Sequence, residues 1–399
     1  SLSADFNYLK GDIGSSRQML PGGPRLPPAQ GSIIFEGDIY DSNSNVDTKD
    51  EIKNYGTSLK IERDFRAFTV KSISALRFLD RVSTFDTDIT PGALTEAVYD
   101  PEKTRSFSQE LQIVSPAGNR LQWIAGFYYF FSDASQDLTI FNSALGAAQF
   151  LKLDDKLVTN SYSGFAQAVI PLGDATHVTV GGRYTHDRKR VSGTQGNALG
   201  TTAVFDTATS WSNFTYRLGI DHKLAEDVLL YANISSGFKS GLYDLVSPTR
   251  PPVDPEKLTA YEAGIKSRFL DRRIQLNVSG FYYDYKDIQV RANLGGIAFL
   301  QNASKARVWG LEADGEFVVT NELRLTAGAS YLNSKYTSFP EAQIFPVNPV
   351  TGLGVATIGD VTGSQLPRAP KYTANAALNY ETPVSFGTVG GTVSYYYNG

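Results

Sequence analysis

Cysteine is absent from the 399-residue chain, and methionine and histidine are scarce, at one and three residues. Without thiols the chain forms no disulfides, no cysteine-ligated zinc site and no thiol nucleophile. The histidines His177, His186 and His222 offer few ligands for a metal centre, and His177 and His186 stand nine positions apart, on opposite faces of any strand that holds both. The sequence therefore predicts neither a resident metal nor another cofactor.

Long hydrophobic runs and an excess of charge are also missing. No apolar run reaches the length of about 18 residues that a transmembrane helix needs. The 37 Lys and Arg residues nearly balance the 41 Asp and Glu residues, for a formal net charge of −4, so no nucleic-acid partner is expected. Serine-hydrolase, zinc-protease, P-loop and dinucleotide motifs are absent as well, and we expect no enzyme.

Short polar turns recur along the chain roughly every 50 residues, which is the spacing of a repeated hairpin. They centre near Asp64, Gly118, Gly173, Glu226, Asp271, Asn321 and Ser385. Between them lie longer segments rich in Gly, Ser, Asn, Asp and Pro, namely Asp80–Lys103, Gly193–Ser210, Leu242–Pro255 and Ser338–Pro370. Tight connections that alternate with long ones are typical of an outer-membrane barrel, which has short periplasmic turns and long extracellular loops.

The segments beside these turns alternate between apolar and polar residues, the period of a β-strand. We count about fifteen such strands of ten residues or more, long enough to cross a bilayer at a tilt. The expected fold is therefore all-β, a fragment of a transmembrane antiparallel β-barrel. Among the residues expected to face lipid are Leu276, Val278, Leu325 and Ala327, and among those expected to face the lumen are Gln275, Asn277, Arg324 and Thr326. A soluble adhesive β-protein and a passive, plugless porin remain alternatives.

Aromatic clusters stand about nine residues beyond three of the short turns, as GFYYFF, GFYYDY and SYYYNG. At about 3.3 Å per residue this is the height of the second lipid–water boundary, which Tyr and Trp favour. We interpret Phe127, Tyr129, Tyr282 and Tyr395 as parts of an aromatic girdle. The charged residues Glu262, Glu312, Asp314, Glu316, Lys266, Arg268, Arg273 and Arg324 are expected on the lumenal side. Asp154 and Asp155, beside Lys152 and Lys156, are interpreted as a solvated loop.

Five stretches resemble, in order along the chain, barrel segments of TonB-dependent outer-membrane receptors. They are SFSQELQIVSP, YANISSGFKSGLYD, DPEKLTAYEAGIKSRFLDRRIQLNVSGFYYDYKDIQV, NASKARVWGLEADGEF and LPRAPKYTANAALNY. The resemblance implies a barrel of about 22 strands with a plug inside, located in the outer membrane of a Gram-negative bacterium and in contact with its lipid. About fifteen strands would then make residues 1–399 a partial barrel domain without the plug or the last strands.

The same resemblance implies import of a scarce, bulky nutrient, with energy from a TonB-type protein that acts through the plug. A ferric siderophore is the first choice of ligand, and a carbohydrate or plant-derived compound is the alternative within the family. The opening residues, SLSADFNYLK, lack an initiator Met and the features of a signal peptide, so the chain is expected to be a piece of a longer protein.

Ligand contacts are expected in the long loops, because barrel strands are constrained by pairing and loops are free to vary. The candidate residues in the segment Ser338–Pro370 are Phe339, Gln343, Phe345, Asn348 and Arg368, and those in the segment Asp80–Lys103 are Arg81 and Tyr99. They offer apolar, polar and cationic contacts. The alternative for these loops is a mobile lid or a surface shield.

Overall fold

The described part of the chain is built from β-strands alone. The structure is a computed structural model that describes residues 1–11, 48–86, 95–142, 148–197, 202–294, 297–347 and 357–399. The strands are β1 (Leu2–Gly11), β2 (Lys49–Asp64), β3 (Thr69–Asp86), β4 (Thr95–Val114), β5 (Gln122–Asn142), β6 (Ala148–Leu172), β7 (Thr176–Asn197), β8 (Thr202–Ala225), β9 (Val228–Lys239), β10 (Glu256–Phe269), β11 (Ile274–Leu294), β12 (Ile297–Val318), β13 (Leu323–Ser338), β14 (Ala342–Ile344), β15 (Thr357–Gly359), β16 (Tyr372–Val384) and β17 (Gly387–Asn398). Within these ranges no helix is long and apolar enough to cross a membrane.

Fifteen of these strands form one antiparallel sheet in which each strand pairs with the next along the chain. The short strands β14 and β15 form a separate hairpin in the connection between β13 and β16. The predicted all-β fold and the predicted count of about fifteen long strands are confirmed. An up-and-down order follows from the tight turns, because only antiparallel neighbours can be joined by so few residues.

All seven predicted turns are present, and they lie at 65–68, 115–121, 173–175, 226–227, 270–273, 319–322 and 385–386. The turn after β10 holds Leu270, Asp271 and Arg272 at φ of 50°, 53° and 66°. Three successive left-handed residues reverse the chain sharply there. Arg273, which was expected on the lumenal face of a strand, belongs to this turn and donates a hydrogen bond to the Val319 carbonyl at 2.8 Å.

Two of the predicted loops are largely strand. The segment Asp80–Lys103 includes the end of β3 and the start of β4, and Gly193–Ser210 includes the end of β7 and the start of β8. Their polar composition suggested loops. The two strands of each hairpin instead continue above the membrane, where they satisfy the hydrogen bonds of each other's backbone. Polar side chains are exposed to water there, so they do not carry the free-energy cost of facing lipid. Among the described residues, connections without long strands remain at 240–255, 339–347 and 360–371.

The register divides the side chains of the sheet between two faces. We call the face that carries Leu276 and Val278 the apolar face, and the face that carries Asn277 the polar face. Leu276 lies opposite Gly315 and Val278 opposite Ala313. On the polar face, Asn277 Nδ2 donates to Asp314 at 2.9 Å. The predicted separation of the lipid-facing set from the lumenal set is therefore confirmed at these positions.

Aromatic side chains form a row across the apolar face. Its members are Tyr55, Phe78, Phe107, Tyr129, Tyr162, Tyr261, Tyr282, Trp309, Tyr331 and Tyr372. Neighbouring rings touch across the strands, with centroids 4.9 Å apart for Tyr129 and Tyr162 and 5.5 Å for Trp309 and Tyr331. Tyr282 lies eight positions after the first residue of β11, about 20 Å from the turn in a tilted strand. Of the predicted girdle residues, Tyr129 and Tyr282 thus belong to this row, whereas Phe127 and Tyr395 lie on the same face two and about four positions nearer the short turns.

Candidate functional site

The connection 240–255, between β9 and β10, folds back over the polar face, and we call it the strap. Lys189 Nζ donates to the Gly241 carbonyl at 2.7 Å, and Gln136 Nε2 donates to the Leu245 carbonyl at 3.0 Å. The Tyr243 side chain is 2% exposed, and its hydroxyl lies 2.7 Å from Thr209 Oγ1. The strap is therefore packed against β5, β7 and β8, and does not project away from the sheet.

Contacts of the strap show which face of the sheet is the inside. Leu245 is bonded to Gln136 of β5, whereas its neighbour Asp244 faces Arg291 of β11 at 3.9 Å. These two strands are six steps apart in the sheet, or about 29 Å along it at roughly 4.8 Å per strand. Two adjacent residues can reach both strands only if the sheet curves around them. The polar face is therefore concave, and the apolar face with its aromatic row points outward.

Both ends of the strap are fixed by hydrogen bonds to strands. Gln289 Nε2 donates to the carbonyls of Ser240 and Asp254 at 3.0 and 2.9 Å. Trp211 Nε1 donates to Asp254 Oδ1 at 3.2 Å. A Cβ at Gly241 would stand 2.3 Å from the Trp211 ring, so only glycine permits this close approach. Gly241 therefore lets the strap pack directly against β8.

A cavity of about 480 Å³ lies between the strap and strands β3–β6, β11 and β12. One part of its wall is charged, with Arg81, Glu102, Asp244 and Arg291. Another part is apolar, with Leu157, Leu242, Leu300 and the ring of Tyr243. Because its walls come from the concave face, we call it the lumenal cavity. A cavity with a few charged groups in an apolar surround is the usual form of a small-molecule site.

The two guanidinium groups of the lumenal cavity differ in how firmly they are held. Arg81 Nε lies 2.8 Å from Asp50 Oδ1, and another Arg81 nitrogen lies 3.7 Å from Glu102. The side chain of Arg291 is 60% exposed and approaches Asp244 only to 3.9 Å. A guanidinium can bind a carboxylate or similar oxyanion through two parallel hydrogen bonds. Arg291 is therefore the cation most available to an incoming anionic group.

Asp154 and Asp155 do not lie in a solvated loop, as was expected, but within strand β6. Asp154 is exposed on the outward face, whereas Asp155 is 2% exposed on the concave face. Gln136 Nε2 donates to Asp155 Oδ2 at 3.1 Å, and the other carboxylate oxygen has no partner. Adjacent residues in an extended strand point to opposite faces, so Asp154 is exposed to solvent whereas Asp155 is buried.

The pKa of Asp155 is raised to about 7, chiefly because burial disfavours the charged form; the Gln136 hydrogen bond lowers the pKa and the charge of Asp154 raises it. Asp155 lies seven positions beyond Tyr162 of the aromatic row, outside the apolar band. Gln136 therefore connects a buried titratable group to the backbone of the strap.

The predicted ligand residues fall in different places. Arg81 lies on β3 and lines the lumenal cavity. Phe339 is 7% exposed and packs on Tyr336, with ring centroids 5.1 Å apart. Gln343 belongs to β14, whereas Phe345 is 61% exposed and Arg368 is exposed with φ of 56°. Tyr99 belongs to β4, and its side chain and the whole of Asn348 lie outside the described residues.

Sequence reasoning missed Glu102, Gln136, Asp244 and Arg291 as parts of a site. The stretch YANISSGFKSGLYD, which resembles the family, contains the start of the strap, but no local pattern shows that the chain turns inward there. The expectation about histidines holds: His177 bonds Asp221 and His186 bonds Ser212, each at 2.9 Å, from opposite faces of β7. Among the described residues no group of three His, Cys, Asp or Glu side chains is arranged to hold a metal ion.

The amino-acid sequence of the chain is similar to those of known proteins. A family profile described as "TonB dependent receptor-like, beta-barrel" matches residues 2–399. The metal-pseudopaline receptor CntO of Pseudomonas aeruginosa is 30% identical over 124 residues, or 31% of this chain and 17% of that protein. The pesticin receptor of Yersinia enterocolitica is 24% identical over 224 residues, or 55% of this chain and 30% of that protein. The match thus spans less than a third of the length of either relative.

Solved structures share the fold. The ferric yersiniabactin uptake receptor FyuA from Yersinia pestis has a TM-score of 0.71 at 16% identity, over 88% of this chain and 54% of that chain. The siderophore receptor PiuA from Acinetobacter baumannii has a TM-score of 0.67 at 16% identity, over 99% of this chain and 62% of that chain. These proteins are receptors and not enzymes, in agreement with the missing catalytic motifs. The chain belongs to the TonB-dependent receptor family, as barrel strands of an outer-membrane protein of Gram-negative bacteria.

Proposed function

We propose that these strands belong to a receptor that imports a bulky metal chelate, with a ferric siderophore as the first candidate. The lumenal cavity is the observation that carries the proposal. It faces the inside of the sheet, holds about 480 Å³ and presents Arg81 and Arg291 beside an apolar wall. This choice is supported by the similar proteins, which are a ferric yersiniabactin uptake receptor, a siderophore receptor and a metal-pseudopaline receptor.

The charges of the cavity fit a chelate better than a bare ion or a neutral sugar. Many chelators of metal ions bind through carboxylates and other oxygen anions, and guanidinium groups recognise such oxygens through paired hydrogen bonds. Arg291 can turn from Asp244, 3.9 Å away, towards an anionic group of the ligand. Leu157 and Leu300 then provide an apolar surface for the body of the chelate.

The proposal includes a plug domain and a TonB-type partner, because the family couples import to energy from the inner membrane. The concave face below the cavity is suited to a polar plug. Glu262, Glu312 and Asp314 on this face stand among Lys266 and Arg268, and charged side chains there avoid the cost of facing lipid. In the proposed receptor the plug fills this polar lumen and passes the ligand inward.

Uptake by the full-length receptor tests the proposed function. We expect the gene to be induced by iron limitation, and the receptor to restore uptake of a ferric siderophore to a receptor-deficient strain only when the TonB-type protein is active. Induction by a single sugar without a response to iron would favour the carbohydrate alternative. Entry of unrelated small solutes without an energy source would show a passive channel instead.

The hairpin between β13 and β16 provides a separate prediction about ligand capture. Strands β14 and β15 pair with each other. At the base of this hairpin the Val361 N–H donates a hydrogen bond to the Phe339 carbonyl at 3.0 Å. Deletion of 341–361, replaced by a short Gly-Ser linker, should leave β13 and β16 paired along Tyr331 and Tyr372. We expect normal surface levels and about tenfold weaker ligand binding, since loops carry recognition in such receptors.

A Phe386→Ser variant in a periplasmic turn, where the ring is 85% exposed, serves as the control for this deletion. It alters an exposed aromatic residue at the opposite end of the sheet and should bind ligand normally. Both variants are compared with the parent receptor by titration of the ferric siderophore. If the shortened receptor reaches the surface and binds with unchanged affinity, the hairpin has no part in capture.

A further inference from the structure

The carboxylate of Asp244 in the strap is buried and only half satisfied. Its side chain is 7% exposed and belongs to the wall of the lumenal cavity. Oδ1 accepts a hydrogen bond from the Val246 N–H at 3.0 Å and lies 3.9 Å from the guanidinium of Arg291. Oδ2 has no hydrogen-bond partner within the described residues. A buried carboxylate oxygen without a donor is unfavourable, so Asp244 is prepared to accept a donor from a ligand.

The other cations around the strap are engaged elsewhere. Lys189 donates to the strap backbone at 2.7 Å, and the guanidinium carbon of Arg250 lies 3.7 Å from the centroid of an aromatic ring. Arg81 lies between two carboxylates, at 2.8 and 3.7 Å. In the described part of the chain, Arg291 is the one cation that forms an ion pair with Asp244. The charge of Asp244 is therefore compensated by a single side chain, which is itself 60% exposed.

Negative charge is in excess around the lumenal cavity. Its wall contains two cations, Arg81 and Arg291, and two carboxylates, Glu102 and Asp244. Asp50, which holds Arg81 at 2.8 Å, adds a third carboxylate. A chelate that carries only negative charges would therefore meet repulsion as well as the attraction of Arg291. A ligand that brings one cationic group beside an anionic group matches these charges better.

Binding of an anionic group to Arg291 has a consequence for Asp244. The guanidinium must turn towards the ligand, and the buried carboxylate then loses its cation. Removing one partner of a buried ion pair is strongly unfavourable, because the other charge remains uncompensated. A ligand ammonium next to the bound anionic group removes this penalty, since it can donate to Oδ2 while Val246 keeps its bond to Oδ1. The two ligand groups must be adjacent, because Arg291 and Asp244 are only 3.9 Å apart.

We propose that the lumenal cavity recognises a zwitterionic head group on the metal chelate, with an ammonium next to a carboxylate as in an α-amino acid. The inference rests on the proposed import of a chelate and names its chemical class. The carboxylate of the head accepts paired hydrogen bonds from Arg291, and the ammonium donates to Asp244. The body of the chelate lies on the apolar part of the wall, with Leu157 and Leu300.

Three iron(III) complexes of one trihydroxamate chelator test the inference on the full-length receptor in detergent micelles. The iron–hydroxamate centre is neutral, so the complexes differ only in the head group that the chelator carries. The heads are a free α-amino acid, its N-acetyl derivative and its methyl ester. We expect the parent receptor to bind the free amino acid form about 30-fold more tightly than either derivative, the effect of one hydrogen bond to a charged group.

Two variants assign the two halves of the head to their partners. Asp244→Asn keeps an acceptor for the Val246 N–H and so preserves the turn of the strap. It should reduce the preference over the N-acetyl form from about 30-fold to less than about threefold. Arg291→Gln should reduce the preference over the methyl ester in the same way. The control is Asp154→Asn on the exposed outward face, which removes the same charge and should keep both preferences.

Equal affinity of the parent receptor for the three complexes would overturn the inference and leave the import of chelates in place. So would binding of another ferric chelate by a receptor that binds none of the three. An unchanged preference in Asp244→Asn, or an equal loss in Asp154→Asn, would show that the ammonium is not recognised by Asp244. Failure of every ferric chelate to bind would overturn the proposed function as well. If a variant fails to assemble, the order of the three affinities in the parent receptor decides.

Discussion

The substitution Val278→Arg is expected to destabilise the full receptor in lipid vesicles by about 2–4 kcal/mol. Val278 is 37% exposed on the apolar face, lies opposite Ala313 and stands four positions after the start of β11, near the middle of the apolar band. An arginine there must place its charge in hydrocarbon or bend towards a boundary. Leu276→Arg, two positions nearer the turn, should cost less because the penalty falls towards the interface.

The control for this prediction is Asn277→Arg, one position away on the concave face. Asn277 bonds Asp314, so a new cation there has a carboxylate beside it and water around it. We expect less than 1 kcal/mol from this change, as for surface substitutions in general. Urea titrations of folding into vesicles measure all three variants. Equal midpoints for Val278→Arg and Asn277→Arg would show that the two faces are assigned wrongly.

The substitution Asp155→Asn is expected to keep the strap docked at pH values where the native residue loosens it. In the docked state burial raises the pKa of Asp155 from 3.8 to about 7, whereas release of the strap returns it towards its ordinary value. Because the docked pKa is the higher one, the stabilising effect of protonation is complete below about pH 4. It declines as pH rises and is lost above about pH 7. Three pH units correspond to at most about 4 kcal/mol.

Hydrogen exchange of the strap measures this effect, with Leu242 and Val253 as reporters, since each donates its N–H to the other's carbonyl at 3.1 and 2.9 Å. After correction for the intrinsic pH dependence of exchange, protection in the parent receptor should fall between pH 4 and 7. The Asp155→Asn variant should show constant protection. Asp154→Asn, on the exposed side of the same strand, should follow the parent. A parent strap whose protection does not change with pH would exclude Asp155 as its titrating group.

Local patterns predicted the parts of the fold that depend on neighbouring residues. The seven turns and the two faces of β11 follow from residue type and period, because strand side chains alternate whatever the strand later contacts. The lengths of β3 and β4 could not be predicted in this way, because polar residues above a membrane are compatible with both a strand and a loop. Their backbone pairing, Asp80 opposite Lys103 and Arg81 opposite Glu102, decides between them.

The site was less predictable than the fold. The bond from Gln136 to Leu245 joins residues 109 positions apart, and no spacing in the sequence records it. Arg81 was chosen as a residue of a long loop, but it reaches the lumenal cavity from an ordered strand. Asp155 was predicted to lie in a solvated loop because charged residues surround it in the sequence. Its burial depends instead on which face of β6 the strap covers. Contacts across the lumen are set by curvature of the whole sheet.

The course of the strap also has a consequence for the order of assembly. Its partners Gln136, Lys189 and Arg291 belong to three strands that meet around it only after the intervening hairpins have paired and curled. Closing a loop of 109 residues before those hairpins form would carry a large entropy cost with little in return. The strap should therefore dock late during insertion, and the appearance of its protected amides would time the moment at which this wall of the barrel acquires its final curvature.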